Sequence, residues 1–209
     1  MDGAASAPGA PVSRVSPIPR VSRASLLARV GLGLGAVTAG AAAARGLATA
    51  SGAAGGAGRD RVVLEFALEL EQLQAAFYSQ ALGSGKLSGE AHQFAQLVGS
   101  EEQAHLRYLH RALGSEPSPP RYDFGGAFSD QESFLATAVM LEDTGLASYN
   151  GQAENVSPRL LGQVARVILV EARHSAWARS LAGRQPAPVA ADVPIGATQA
   201  RAALRRFVA

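Results

Sequence analysis

The chain has 209 residues, of which 47% are hydrophobic and none is cysteine. These values fit one globular domain with an additional segment, and the lack of cysteine excludes disulfides, zinc–thiolate sites, iron–sulfur clusters and thiol nucleophiles. The formal net charge of +2 divides into 6 − 1 = +5 for residues 1–59 and 13 − 16 = −3 for residues 60–209. Because the positive charge lies outside the predicted folded part, it does not support nucleic-acid binding.

Residues 1–59 have the layout of an export signal. Three arginines precede a weakly apolar stretch over residues 30–44, and Ala48-Thr49-Ala50 forms a small-residue cleavage site. The apolar stretch is shorter than the roughly 20 residues that span a bilayer, so no stable membrane span is predicted. We therefore predict a disordered leader and export to the periplasm, the cell envelope or the outside; an organelle transit peptide and a disordered tail without an address are the alternatives.

From residue 60 onward the apolar residues recur with a helical period, and the alternation typical of strands is absent, so the predicted core is all-α. Turn and capping residues divide it into four helices. These are predicted over about Arg61 to Leu82, stopped by Gly83-Ser84-Gly85; from an N-cap at Ser88 to Leu113, stopped by Gly114; from a capping box at Ser129–Glu132 to about Gly151; and from Ser157-Pro158 to just before Gly183.

The links between the helices predict how they are arranged. The first and second helices, and the third and fourth, are joined by short links and should form antiparallel hairpins, whereas residues 115–128 are long enough to cross the bundle. The bundle therefore occupies residues 60–184. A tail rich in proline and alanine follows over residues 185–209, with a short helix near its end whose Leu204 and Phe207 could dock on the core.

The first and third helices carry the same pattern along their buried faces. At alternating spacings of three and four residues, each has a row of apolar residues that is interrupted by one glutamate, Glu71 or Glu142. Seven residues after each glutamate comes a tyrosine, Tyr78 or Tyr149, and the two rows match at an offset of 71 residues. This agreement indicates an internal duplication of the chain.

The second and fourth helices repeat in the same way. Their buried rows contain Glu102 with His105 and Glu171 with His174, at an offset of 69 residues. Residues three apart lie on one face of a helix, so each pair can present an oxygen and a nitrogen together. Two hairpins related by a pseudo-two-fold axis would place the four glutamates and two histidines at comparable heights.

Four ionised carboxylates in an apolar row need compensation, because each would otherwise cost several kcal/mol. Two divalent cations carry +4 against −4, and neutral imidazoles complete the nitrogen positions. One glutamate from each of two helices, with Glu-x-x-His from each of the others, is the pattern of di-iron carboxylate bundles. We therefore predict a dinuclear site with the ligands Glu71, Glu102, His105, Glu142, Glu171 and His174.

Several segments are similar to those of a known family. They are Phe66-Ala67-Leu68 through Phe77-Tyr78, Glu102-Gln103-Ala104-His105, Tyr122-Asp123-Phe124-Gly125, Leu141-Glu142-Asp143-Thr144-Gly145 and Val170-Glu171-Ala172-Arg173-His174. They resemble the ferritin-like domain family, in particular exported bacterial proteins related to plant desiccation-related proteins. The resemblance implies an up-down-down-up four-helix bundle with a dimetal site formed by the six residues above. Many relatives have a second glutamate where this chain has Gln74, which leaves Glu71 and Gln74 as alternatives in the first helix.

A donor set of oxygen and imidazole nitrogen without sulfur suits iron or manganese. We predict a protein with two Fe or Mn ions that reacts with O2 or peroxide, or oxidises Fe(II), in stress protection. Tyr78 and Tyr149 are the candidate catalytic residues, as hydrogen-bond donors or electron sources beside the metals. The alternative is a non-enzymatic, desiccation-related envelope protein that uses the bundle structurally. Homo-oligomer formation is left open.

Overall fold

A computed structural model describes residues 42–209, with side chains from Gly56 onward. The packing described below lies within one compact unit, Leu47–Ala209. The described residues form five α-helices and two short 3-10 helices and no strand: α1 Ala42–Gly83, α2 Gly89–Leu113, α3 Gln131–Gln152, α4 Pro158–Leu181 and α5 Ala197–Leu204, with 3-10 helices at Gly125–Phe128 and Arg205–Phe207. The predicted all-α bundle with a long link between its second and third helices is confirmed.

Helix α1 begins at Ala42, well before the predicted start near Arg61. The sequence before Arg61 is rich in alanine, which favours helix more than any other residue, and residues 42–60 contain no proline to interrupt it. The composition of residues 52–58 predicts part of a disordered leader, but the glycines in this range lie within the helix. The basic and most of the apolar part of the predicted export signal lie in residues 1–41, outside the described residues.

None of the helices in the described part of the chain has the length and hydropathy that a membrane span requires.

Helices α2 and α4 begin and end where their capping residues predict. Ser88 and Gly114 flank α2, and Gly114 has the left-handed backbone, at φ 68°, that glycine adopts without strain. Pro158 occupies the first position of α4, after Ser157. The backbone N–H and the hydroxyl of Ser157 donate to the two carboxylate oxygens of Asp60 at 2.7 and 2.6 Å. Asp60 therefore fixes the start of α4 against α1.

The start of α3 differs from the prediction by one residue. The predicted capping box takes Ser129 as the N-cap, whereas Asp130 holds that position and its Oδ1 accepts a hydrogen bond from the Ser133 N–H at 2.7 Å. The prediction of a capping box with Ser129 as the N-cap is therefore wrong. A carboxylate is a better partner than a hydroxyl at a helix N-terminus, because it also interacts with the helix dipole.

The C-terminal segment packs onto the bundle as predicted. Leu204 and Phe207 are buried in the same core as Phe77 and Phe134, whose rings stack with centroids 5.4 Å apart. The backbone of the last residues also joins the link between α2 and α3, since the Asp123 N–H donates to the Phe207 carbonyl at 2.9 Å. The C-terminal segment thus packs against the face of α1 that carries Phe66, Leu70 and Leu73.

Candidate metal centre

Each of the four bundle helices places one glutamate in the interior. Glu71 of α1, Glu102 of α2, Glu142 of α3 and Glu171 of α4 all have 0% exposure. In α1 and α3 the apolar residues one turn away on the same face are buried as well, because the three- and four-residue spacing keeps each row on one side of its helix. These residues are Leu68, Ala75, Val139 and Leu146. The two predicted histidines lie beside the glutamates: 13% of the His105 side chain and 3% of the His174 side chain are exposed. The structure thus brings all six predicted ligands together.

The six residues form two overlapping groups. Within each group, one side-chain nitrogen or oxygen atom from every residue lies within 4.8 Å of those from the others. The first group consists of Glu71, Glu102, His105 and Glu171, and the second of Glu102, Glu142, Glu171 and His174. Glu102 and Glu171 belong to both. Each group has one further glutamate and one histidine, and these correspond to each other in the internal duplication: Glu71 matches Glu142, and His105 matches His174. We call these six residues the cluster.

Both histidines turn the same ring nitrogen toward the carboxylates. Nδ1 of His105 lies 3.2 Å from an oxygen of Glu71 and 3.3 Å from oxygens of Glu102 and Glu171. Nδ1 of His174 lies 3.1 Å from Glu102 and 3.6 Å from Glu142. His105 therefore faces both shared carboxylates and Glu71. His174 faces one shared carboxylate, Glu102, and Glu142.

Many polar atoms of the cluster lack a hydrogen bond. Five buried atoms have no partner of suitable geometry: Oε1 of Glu102, Oε2 of Glu142, both carboxylate oxygens of Glu171, and Nδ1 of His174. Leaving a buried polar atom unpaired costs about 1–3 kcal/mol, and more for a charged group. Cations between the carboxylates would satisfy these atoms at once, so the residues present fit a pair of metal ions.

The pKa values of two glutamates reflect the concentration of negative charge. Burial raises the pKa of Glu71 from 4.5 to about 8, and the neighbouring charge of Glu102 adds to the increase. Burial also raises the pKa of Glu171 to about 7; the nearby His105 imidazole opposes this rise, and the charge of Glu71 adds to it. Without cations, these carboxylates hold protons near neutral pH; metal ions would displace those protons.

The histidines respond to the same excess of negative charge. Burial lowers the pKa of His105, but the carboxylates of Glu102, Glu171 and Glu71 around its Nδ1 outweigh this effect and bring the pKa well above its usual range. Burial likewise lowers the pKa of His174, but the nearby carboxylates of Glu102 and Glu142 outweigh it and raise the pKa to about 11. In the metal-free cluster the imidazolium groups thus supply positive charge that a metal ion would replace.

The two predicted tyrosines bind the glutamates crosswise. The hydroxyl of Tyr78 on α1 donates to Glu142 Oε1 on α3 at 2.5 Å, and the hydroxyl of Tyr149 on α3 donates to Glu71 Oε1 on α1. Burial raises the pKa of both phenols well above the usual value, and the charge of the bonded glutamate raises it further. Both tyrosines therefore remain protonated hydrogen-bond donors. Each tyrosine fixes one carboxylate oxygen and leaves the other directed at the cluster. Their catalytic role stays a prediction.

Sequence reasoning missed Glu101. Its Oε2 lies 2.5 Å from Nε2 of His174, and it is 39% exposed. Second carboxylates of this kind fix the orientation and tautomer of a metal-binding imidazole. The position that matches Glu101 in the duplication is Val170, which has no hydrogen-bonding side chain. The pair Glu101-Glu102 is visible in the sequence, but Glu101 lies off the buried row, and its partner is 73 residues away.

The structure also separates Glu71 from Gln74. Gln74 is buried, at 2% exposure, but it is not part of either group, and its Nε2 has no hydrogen-bond partner. Its carboxamide packs over Gly145, where a Cβ would lie 3.2 Å from both amide atoms. Gly145 occupies the position that matches Gln74 in the duplication, so the amide fills the space left by the glycine. The α1 residue in the cluster is Glu71.

Comparison with known proteins agrees with this geometry. A family model described as a ferritin-like domain matches residues 59–184, more than half of the chain and a range that includes the whole cluster. A search of curated proteins gives no match.

Proposed function

The chain belongs to the ferritin-like domain family, and we propose that it is a dinuclear iron or manganese carboxylate protein that reacts with O2 or peroxide, or oxidises Fe(II), in stress protection. The observation that carries this proposal is the set of five buried, unpaired donor atoms around the two shared glutamates, Glu102 and Glu171. Their four-carboxylate environment matches the charge of two divalent cations.

Each ion would have its own pair of residues. Glu71 and His105 would hold one, Glu142 and His174 the other, and Glu102 and Glu171, which belong to both groups, would be available to both. When bound, iron or manganese would supply a site for O2 or peroxide and the electrons exchanged with it.

The protein's own residues prepare this site. Tyr78 and Tyr149 hold the two outer glutamates by one oxygen each. Glu101 engages Nε2 of His174, so that an imidazole protonated there directs the Nδ1 lone pair at the cluster. His105 is the most exposed of the six, and we infer that small oxidants approach from its side. We further propose the buried tyrosines as electron sources.

Metal analysis of the purified full-length chain tests the proposal. Protein produced with added iron or manganese should hold two ions, and it should oxidise Fe(II) or consume peroxide. The double variant Glu102→Ala/His105→Ala should lose both the ions and the reaction. His92→Ala is the matched control, because His92 is a partly exposed histidine of the same helix outside the cluster.

The results also separate the enzymatic from the structural role. Well under one ion per chain, with a melting temperature that does not respond to a chelator, would contradict the dinuclear site. Two bound ions with no turnover above that of the double variant would instead support a non-enzymatic stress or desiccation-related protein whose metals stabilise the bundle.

We propose export of the protein on the basis of the basic and apolar pattern in its first 59 residues. N-terminal sequencing of protein recovered from outside the cytoplasm should give Ser51 as the first residue. Recovery of the uncut chain from the cytoplasm alone would argue against this localisation.

A further inference from the structure

A cavity of about 580 Å³ lies on the outside of α1, and none of the cluster residues lines it. Its volume falls within the range of roughly 300–1,000 Å³ that is common for sites of small organic ligands. Its apolar lining comes from three parts of the chain: Phe66, Leu70 and Leu73 of α1, Tyr122 of the link between α2 and α3, and Leu204 and Val208 near the C-terminus.

Hydrogen bonds join the three segments that line the cavity. The Asp123 N–H donates to the Phe207 carbonyl at 2.9 Å, and the Ala209 N–H donates to the Arg121 carbonyl at 3.0 Å. On the α1 side, the Gln72 amide donates to the Pro117 carbonyl at 2.9 Å. The cavity is therefore preformed, which lowers the cost of ordering it around a ligand.

The lining of the cavity carries one uncompensated positive charge. Arg201 makes two hydrogen bonds to Glu69, at 2.7 and 3.0 Å, and its guanidinium lies over the Phe66 ring at 5.0 Å from the centroid. Arg205 also lines the cavity, but it makes no salt bridge with any residue that the structure describes. Burial, with the charge of Glu69, raises the pKa of Tyr122 to about 12, so this phenol adds no negative charge.

We propose that this cavity binds a free fatty-acid-like carboxylate, with its alkyl chain against the apolar walls and its carboxylate at Arg205. The apolar lining suits a hydrocarbon chain, and a single unpaired guanidinium suits a single carboxylate, with which arginine forms strong, directional hydrogen bonds. This inference does not depend on the proposed metal function, since the cavity and the cluster use different residues.

Calorimetric titration of the full-length chain with dodecanoate, kept below its micelle-forming concentration, tests the proposal. Saturable binding of one molecule per chain is expected. From decanoate to dodecanoate, the affinity should rise about fourfold for each added CH2 group. Dodecanol, which has the same chain without the charge, should bind more weakly. Binding without saturation, or with no dependence on chain length, would contradict the proposal.

Two pairs of variants place the ligand in this cavity. Ala202 and Ala203 are neighbouring exposed alanines near the end of α5, and Ala202 alone of the two lines the cavity. Ala202→Trp should reduce the affinity more than tenfold, while Ala203→Trp should leave it unchanged. Both substitutions are at exposed positions, and circular dichroism with thermal melting verifies that each variant folds. Equal affinities in the two variants would rule out this cavity.

The role of charge is tested by Arg205→Gln, with Arg206→Gln as the matched control because Arg206 is adjacent and does not line the cavity. Arg205→Gln should remove the preference for dodecanoate over dodecanol, and Arg206→Gln should preserve it. If both variants keep the preference, the proposed contact with Arg205 is wrong.

Discussion

At the scale of single residues, Glu101 distinguishes the two halves of the cluster. It lies 2.5 Å from Nε2 of His174, whereas the matching position in the other hairpin is Val170. A carboxylate behind a metal-binding histidine typically improves metal affinity by about ten- to hundredfold. The two proposed metal positions should therefore differ in affinity, although the residues proposed to hold the ions are of the same types.

Metal titration of the Glu101→Gln variant measures this difference. We expect one of the two binding steps to weaken by about ten- to hundredfold while the other is unchanged. Glu116→Gln is the control, because it removes a carboxylate that lies 3.0 Å from His110, outside the cluster. Equal weakening of both steps, or of neither, would show that Glu101 does not set the asymmetry.

The cluster residues differ in how far sequence could predict them. The buried rows identified Glu71, Glu142 and their partners because the helical period alone decides which residues share a face. Glu101 and the crosswise direction of the tyrosine bonds depend on which helix lies opposite, and a periodic pattern holds no information on that. The packing of Gln74 over Gly145 could not be predicted either, because it also depends on which helix lies opposite.

At the scale of the helices, Asp60 links the start of α4 to the middle of α1. Its two carboxylate oxygens accept hydrogen bonds from the backbone N–H and the hydroxyl of Ser157. Asp60→Ala should lower the free energy of unfolding by about 1–3 kcal/mol, because it leaves two partly buried donors of Ser157 without their charged acceptor. Urea denaturation measures it, with Glu65→Ala, an exposed α1 residue paired to Arg61, as the control. Similar losses in the two variants would mean that the hydrogen bonds between Asp60 and Ser157 contribute little.

Sequence predicted the helices well where capping residues mark their ends, as at Gly114 and Pro158. It failed at the start of α1, because an alanine-rich stretch with scattered glycines resembles a linker and a helix equally in composition. Asp130 was missed as a cap because two adjacent residues, Ser129 and Asp130, can both hold that position.

At the scale of the whole molecule, the protons held by the cluster link stability to pH. Folding raises the pKa of Glu71 to about 8 and that of Glu171 to about 7, so the folded metal-free protein binds more protons than the unfolded chain above about pH 4.5. This contribution is fully present below that pH and is lost as the pH rises through 7 and 8. The raised pKa values of the two histidines act in the same direction.

Thermal melting in the presence of a chelator should therefore show a melting temperature that falls from pH 5 to pH 8. Glu71→Gln should flatten this dependence, because the pKa of the Glu71 carboxyl is raised more than that of Glu171. Adding iron or manganese at pH 8 should restore stability, since the ions replace the protons. A melting temperature that rises over this range in the metal-free protein would contradict the assignment of the protons to the cluster.

The cavity behind α1 also belongs to this scale. Sequence predicted that Leu204 and Phe207 dock on the core, but the space between α1, the link and the chain end arises from three segments that are far apart in sequence. Nothing in any one segment predicts it.

The crosswise tyrosine bonds have a consequence for how such a protein can be assembled. Each hairpin carries one outer glutamate, one Glu-x-x-His pair and one tyrosine, and that tyrosine bonds the glutamate of the other hairpin. One hairpin therefore holds half of the donors, and its tyrosine does not bond its own outer carboxylate. Two separate copies would have to meet before a metal pair could bind, at a rate and extent set by their concentration. Joining them through residues 115–128 makes that encounter intramolecular, so the site forms at any dilution of the protein.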